Sequence, residues 1–409
     1  MSSIFQNKQG LKVLVAGAVL QLFLGIIYIW SVFKAPVSEF YGWEPEKVRL
    51  TASFMLSFFC MGILVGGKMQ MIIGVKMTTL IGGLMVSAGM LATALIPAGL
   101  SEPQASIFLI FLFYGIIGGF GVGAAYNAII STAQKWFPKN RGFATGVSVG
   151  AFGFSTVIFA PLVEMLNKTF QLNITFLILS GVFASITLLV FGFIKIPQND
   201  RQSTATSVYK EKQYTLSEMI RTSRFYYLTL SIMFGTSVFF VINPDLKDLA
   251  LNRGAASFAT LLIMLMGISN ALGRLCLPLL SDKIGREQTG FLILSSTALG
   301  AFGLCFAEGI LLIAIITIIA FCYGGIAGLY PVLTSDNFGV KNVGSNYGAV
   351  MIGFMISALV FPFTLNLIEG QFFRFIVLGT LATIGVTFIV ILKIANAKKQ
   401  KKEVDSMPH

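Results

Sequence analysis

Charge is the scarcest ingredient of this chain. Asp, Glu, Lys and Arg together make up 11% of its 409 residues, against roughly 25% in an ordinary soluble domain, and that shortage excludes a water-soluble globule. Histidine occurs once, at the final position His409, so the interior lacks both the usual proton shuttle and the commonest metal ligand. The cysteines, Cys60, Cys276, Cys305 and Cys322, all fall in apolar runs and show neither metal-ligand spacing nor a disulfide framework. No metal and no cofactor are expected. A nucleophile–base pair and a phosphate loop are missing too. Gly121-x-Gly123 imitates part of a nucleotide fingerprint, but it sits inside an apolar run with no strand before it. The sequence supports no enzyme activity. A cleavable signal peptide is not expected either, because the first apolar run, 13–33, is too long and lacks a small-residue cleavage site.

What the chain has instead is apolar length. Hydrophobic residues make up 56%, with 38 Phe and 42 Gly, and the mean hydropathy is +0.83. Small residues in such quantity let membrane helices approach closely. Apolar runs predict helices at 11–33, 48–67, 77–97, 104–133, 142–166 and 172–196, then at 224–246, 256–280, 288–307, 309–335, 345–368 and 371–395. The fold class is therefore an all-α membrane protein of twelve transmembrane helices in two six-helix halves, 1–196 and 223–395. A polar linker, 197–222, joins them, and a basic tail, 396–409, follows. Thr215-x-x-Glu218 within the linker reads as a capping box that opens a short surface helix.

The net charge of +12 could suggest nucleic acid, but the basic residues lie in short loops and report topology. With both termini cytoplasmic, that side holds 21 Lys and Arg and the other side 7, Arg274 being intramembrane. No nucleic-acid partner is expected. The lipid bilayer is one, the plasma membrane is the expected location, and the protein is expected to be monomeric. Lys398, Lys399, Lys401 and Lys402 make a basic tail suited to touching anionic lipid.

One stretch organises the rest: GAASFATLLIMLMGISNALGRLCLPLLSDKIGR, from Gly254 to Arg286. It carries a single charge within an apolar span, Arg274, at an insertion cost of roughly 2.5–3.5 kcal/mol. Asn270 lies one turn earlier on the same face. Such a stripe suits a small carboxylate. The alternative is snorkelling, since Arg274 is six residues from Leu280 and its stem could reach the headgroups. Tyr323 and Tyr330 are seven apart on one helix face, with Gly324 and Gly325 between them, and Gln21 and Tyr28 repeat the spacing in the first span. Tyr126 and Asn127 lie deep in the fourth. Phenol hydroxyls there can donate to a carboxylate, while the bland alternative is packing between helices or interfacial belts. Glu164 and Asp336 sit near span ends and read as interface residues rather than proton carriers.

The halves echo each other. Gly67-Lys-Met-Gln-Met-Ile-Ile-Gly74-Val-Lys76 follows the second span, and Pro278-Leu-Leu-Ser-Asp282-Lys-Ile-Gly285-Arg-Glu287 follows the eighth. Twelve spans, a central loop and two copies of a G-x-x-x-D-[RK]-x-G-[RK]-like loop resemble the major facilitator superfamily. The resemblance assigns Asp282, Lys283, Gly285 and Arg286 to a gating loop. The first copy departs from the pattern, with Met71 and Ile72 where the acid and base belong. GIIYIWSVFKAPV (25–37), AQKWFPKNRGFATG (133–146), YTLSEMIR (214–221), NALGRLCLPLLSDKIGR (270–286), YGGIAGLYP (323–331) and NYG (346–348) resemble the oxalate/formate antiporter family, which belongs with the monocarboxylate porters.

That resemblance implies a carrier working by alternating access around a central cavity. Arg274 falls on the family's substrate-carboxylate arginine, and Tyr28, Tyr126 and Tyr323 fall on aromatic cavity positions. Phe354 stands where the oxalate carrier has a second cavity cation, Phe152 and Ala327 replace two further cavity aromatics, and Asn270 stands where proton-coupled relatives have an acid. The implied substrate is a small monocarboxylate of the pyruvate, lactate or formate class, bound by Arg274, Asn270, Tyr28, Tyr126, Asn127, Tyr323, Tyr330 and Phe354. The alternatives are an oxalate/formate-type dicarboxylate exchanger, a drug exporter with a larger apolar pocket, and a non-transporting membrane anion sensor.

Overall fold

The structure is a computed structural model that describes residues 7–97, 103–197, 212–365 and 367–405. Residues 198–211 of the expected linker and 406–409 of the expected tail, His409 included, lie outside the described residues, as do the side chains of 399–405. No β-strand occurs among the described residues, and ten of their helices are long and apolar enough to cross a membrane. The chain divides into two compact units, residues 1–213 with 340–349, and residues 214–339 with 350–409.

Unit 1 begins with α1 (Lys8–Leu24), which tightens into a 3₁₀ stretch (Gly25–Ile29) and continues as α2 (Trp30–Tyr41). The spans expected at 48–67 and 77–97 form one element, α3 (Pro45–Ala94), broken at Gly74 with φ 80° and ψ 161°. Gly285 takes a similar conformation, φ 97° and ψ 153°, between the corresponding helices of unit 2. Only glycine adopts these angles cheaply, so both copies of the repeated loop use it to turn a helix end. α4 (Pro103–Ile110) passes through a π-helical segment (Phe111–Gly118) into α5 (Gly119–Trp136), followed by α6 (Arg141–Thr169) and α7 (Leu172–Phe191). Tyr114 in the π segment packs its ring 4.8 Å from Trp30 and 5.6 Å from Phe176.

Several hydroxyls in these helices bond to backbone or to each other, as suits a lipid surround. Ser87 and Ser180 exchange hydrogen bonds with one another's carbonyls at 2.8 and 2.9 Å, tying α3 to α7. Glu164 pairs with Lys168 at 2.7 Å on an exposed surface of α6.

Unit 2 opens with α8 (Leu216–Ile220), and its capping box is present: Thr215 N donates to Glu218 Oε2 at 2.8 Å, and the Thr215 hydroxyl accepts from Glu218 N at 3.3 Å. It continues with α9 (Ser223–Ile242), α10 (Leu246–Asn252), α11 (Ala259–Ile284), α12 (Arg286–Gly303), α13 (Gly309–Phe338), α14 (Val343–Leu365) and α15 (Gln371–Asp405). The first turns of α14 fall within unit 1.

Two elements differ in extent from the apolar runs that predict them. The ninth span, expected at 288–307, is the shorter α12, which opens on Arg286, Glu287 and Gln288. Its apolar remainder is too short to cross about 30 Å of hydrocarbon unless the bilayer thins around it. The tail expected from 396 continues α15 as helix to Asp405, because Ala, Lys, Gln and Glu favour helix and neither Gly nor Pro interrupts them.

Candidate functional site

Arg274 lies in α11 and is 1% exposed, which makes it one of the largest fully buried side chains of the protein. Its Nε donates to Asn270 Oδ1 at 3.0 Å, one turn back along the helix. The side chain thus runs toward the N-terminal end of α11, away from Leu280, which is the reverse of a snorkelling path. Asn270 is neutral, so this contact fixes the plane of the guanidinium without cancelling its charge.

α13 comes up against α11 at this level. A Cβ on Gly324 would collide with the Asn270 carbonyl, and one on Gly328 would meet the Arg274 carbonyl and the Pro278 ring. These glycines let the two backbones touch and bring Tyr323 beside the turn that bears Asn270 and Arg274. Tyr323 is buried and stacks on Phe239 with centroids 3.6 Å apart and planes 4° from parallel. Phe240 stands edge-on to Tyr323 at 5.6 Å and to Phe354 at 4.9 Å. Unit 2 therefore places a buried cation on α11 and a four-ring aromatic cluster on α9, α13 and α14, of which α13 packs against α11. Phe239 and Phe240 were not singled out in the sequence. Two adjacent phenylalanines in an apolar span look like lipid-facing residues until the partner rings are known.

Tyr330, expected at the site, is fully buried and donates its hydroxyl to Ser231 Oγ at 2.8 Å, which fastens α13 to α9. Asn127 donates through Nδ2 to two backbone carbonyls, Ile63 and Gly344, each at 2.7 Å. Its amide is engaged in joining α3, α5 and the start of α14.

Unit 1 has its own aromatic group. Phe152 of α6 is the hub, 4.8 Å from Tyr126, 5.5 Å from Tyr28 and 5.9 Å from Phe59 between centroids. Tyr28 is half-buried in the 3₁₀ stretch, and Tyr126 is buried. Gln21, fully buried, donates Nε2 to the Tyr126 carbonyl at 3.2 Å.

The expected gating loop lies at the junction of α11 and α12. Arg286 reaches Asp282 Oδ1 at 2.6 Å through Nη2, Asp336 Oδ2 at 2.8 Å through Nε, and Ser281 Oγ at 2.6 Å through Nη1. Burial alone would lower its pKa, but the charges and hydrogen bonds of Asp336 and Asp282 outweigh burial and raise it above the ordinary arginine value. Arg286 is thus a fixed cation linking α11, α12 and the C-terminal end of α13. Lys283 is exposed, and Gly285 supplies the left-handed turn. The sequence marks Asp336 only as an interface residue near a span end. Fifty residues separate it from Arg286, and no local spacing signals the pair.

The sequence model described as the Major Facilitator Superfamily matches residues 14–362. The chain is 29% identical over 354 residues to the uncharacterized MFS-type transporter YhjX of Escherichia coli K12, covering 85% of each chain. It is 27% identical over 336 residues to the oxalate:formate antiporter of Oxalobacter formigenes, covering 79% of this chain and 76% of that one. It is 25% identical over 322 residues to human monocarboxylate transporter 12, covering 69% and 60%. Among solved structures, a double-tryptophan mutant of XylE superposes with a TM-score of 0.75 at 14% identity, covering 94% of this chain and 95% of that one.

Proposed function

The chain belongs to the Major Facilitator Superfamily, and we propose that within it the protein is a secondary carrier of a small monocarboxylate, of the pyruvate, lactate or formate class, working by alternating access. The observation that carries this reading is Arg274: a guanidinium buried in an apolar helix and oriented through Nε by a neutral asparagine, with the helix that bears Tyr323 packed against it. A guanidinium held in a fixed plane suits two-pronged recognition of a carboxylate. Phe354, set in the ring cluster, adds apolar surface rather than a second charge, which suits one carboxylate on a short acyl chain. Similarity to an oxalate:formate antiporter and to a monocarboxylate transporter supports a carboxylate cargo.

In the proposal, Asn270 positions Arg274, and Tyr323 and Phe354 wall the acyl chain. Tyr28 and Tyr126 provide aromatic contacts along the substrate's path. Asn127 and Tyr330 support the helices that carry these groups. The ion pairs of Arg286 with Asp282 and Asp336 gate the transition, with Lys283 and Gly285 in the same turn. The proposed topology has twelve spans, counting the two arms of α3 separately and α12 as a short span. Both termini are cytoplasmic, and the protein resides as a monomer in the plasma membrane.

A second reading, an oxalate exchanger, is favoured by the similarity to the oxalate:formate antiporter. Counterflow in proteoliposomes preloaded in turn with pyruvate, lactate, formate or oxalate, with the same labelled acid outside, decides between them. Label accumulation driven by a monocarboxylate and not by oxalate is the expected result. Accumulation driven best by oxalate establishes the second reading, and no counterflow with any of the four, at normal expression and with saturable binding, indicates an anion sensor.

A further inference from the structure

The turn between the two arms of α3 carries a surface that the carrier reading leaves unused. Where unit 2 places Asp282 and Lys283, unit 1 has Met71 and Ile72, and both stand out from the protein, 61% and 82% exposed. Ile73 and Met77 are exposed beside them, and exposed lysines, Lys68 and Lys76, flank the group. Lys76 Nζ lies 4.2 Å over the Phe191 ring, which puts the turn at the same end of unit 1 as the last turn of α7. Trp136 Nε1 donates to the Lys195 carbonyl at 2.7 Å, which adds the end of α5 and the exposed Lys139 and Lys195 to that end. Residues 47–101, 103–163 and 165–199 contain no acidic residue. Among the described residues, this end of the unit is therefore an apolar knuckle rimmed by lysines.

We propose that residues 68–77 dock on an anionic phospholipid headgroup layer, with Met71 and Ile72 entering the acyl boundary and Lys68 and Lys76 pairing with phosphates. An apolar patch with a cationic rim fits the boundary between headgroups and acyl chains of an anionic leaflet. A second copy of the chain fits poorly, because Lys68 and Lys76 of one copy would face those of the other. Four side chains also fall far short of the roughly 800 Å² per partner of a stable protein interface. The loop that is an ion-pair latch in unit 2 is, in unit 1, a lipid contact.

The test uses the full-length protein with its native cysteines replaced by alanine and a polarity-sensitive fluorophore on Ile72→Cys, or on Met71→Cys should the first variant express poorly. Pro138→Cys, at an exposed turn of the same end, is the reference position. In liposomes of mixed phosphatidylglycerol and phosphatidylcholine, the residue-72 fluorophore should be shielded from aqueous iodide relative to the one at 138. Brominated phosphatidylglycerol should quench it in preference to brominated phosphatidylcholine. With about a fivefold contribution from each lysine, the preference should approach roughly 25-fold and vanish in Lys68→Gln/Lys76→Gln. Native mass spectrometry of unlabelled wild type and the double-glutamine variant, counting retained phosphatidylglycerol, should show the same loss. Equal iodide quenching at 72 and 138 would overturn the proposal. So would quenching that follows protein density rather than the anionic fraction, which assigns the face to a second copy.

Discussion

Replacing Arg274 by lysine keeps the charge and removes the geometry, and it isolates what the Asn270 contact does. Lysine has no Nε, so the 3.0 Å bond to Asn270 Oδ1 is lost with the second prong toward the carboxylate. Each charge-assisted hydrogen bond is worth about 1.5–3 kcal/mol, so Arg274→Lys should weaken substrate binding by roughly 10- to 150-fold. Asn270→Ala removes only the orienting contact and should cost about fivefold, the equivalent of about 1 kcal/mol. The two effects should not add. If Asn270 acts through the Arg274 Nε, then Asn270→Ala should cost almost nothing in the Arg274→Lys background. The assay is counterflow in proteoliposomes at matched reconstitution, with substrate-induced thermal shift in detergent as a binding readout independent of transport. Arg274→Lys transport within about twofold of wild type would refute a two-pronged contact, and fully additive losses would refute the positioning role of Asn270.

Three further outcomes follow from the same geometry. Phe354→Lys places a second cation beside the ring cluster and should raise oxalate binding while weakening that of a methyl-bearing acid, as competition against labelled substrate will show; wild type exchanging oxalate as well as pyruvate or lactate contradicts the charge count. Gly324→Ala puts a methyl against the Asn270 carbonyl, a backbone contact that cannot yield without moving α13, and should cost at least tenfold in affinity, about 1.4 kcal/mol of overpacking strain. Unchanged affinity in a binding titration would show that the seam is slack. Exchange should outpace net uptake and be nearly insensitive to an imposed pH gradient, because Asn270 is neutral, Glu164 is paired with Lys168 on an exposed surface, and Asp336 is held by Arg286. Protonophore-sensitive accumulation in empty vesicles with acid outside would make the protein a proton symporter.

The parts of the site that could be read from the sequence are those whose signal is local. Arg274 stands out because a lone charge in an apolar run must have a reason, and Asn270 follows from the helical repeat. Gly285 is marked by its loop motif. Partners distant in sequence could not be read this way. Spacing placed Tyr330 and Asn127 on plausible faces, but a face does not say where a hydroxyl or amide goes. Ser231, Ile63 and Gly344 engage them through tertiary packing. Asp336 was visible as an acid near a span end, and its role came only with the fold of α12. Hydropathy also ran past the end of α12 at Gly303, because Leu304, Cys305 and Phe306 are apolar whether or not the helix continues. The π-helical segment was invisible for a related reason: Phe111–Gly118 is apolar on every side, so no periodicity distinguishes a wide turn from an ordinary one.

That wide turn has a consequence for how this membrane span can change in length. A π segment accommodates one residue more than an α-helix needs for the same advance, and reverting to α by losing a residue costs no hydrogen bond. Phe111–Gly118 is therefore a place where the span can shed a single residue while α5, with Tyr126 and Asn127, keeps its register against α3. The same deletion made within α5 would rotate every later side chain by about 100°, a full residue step of an α-helix. What the segment would forfeit is the outward bulge that sets Tyr114 between Trp30 and Phe176. In the lineage of such carriers, an insertion at this point can be absorbed as a bulge and leave the helices beyond it undisturbed.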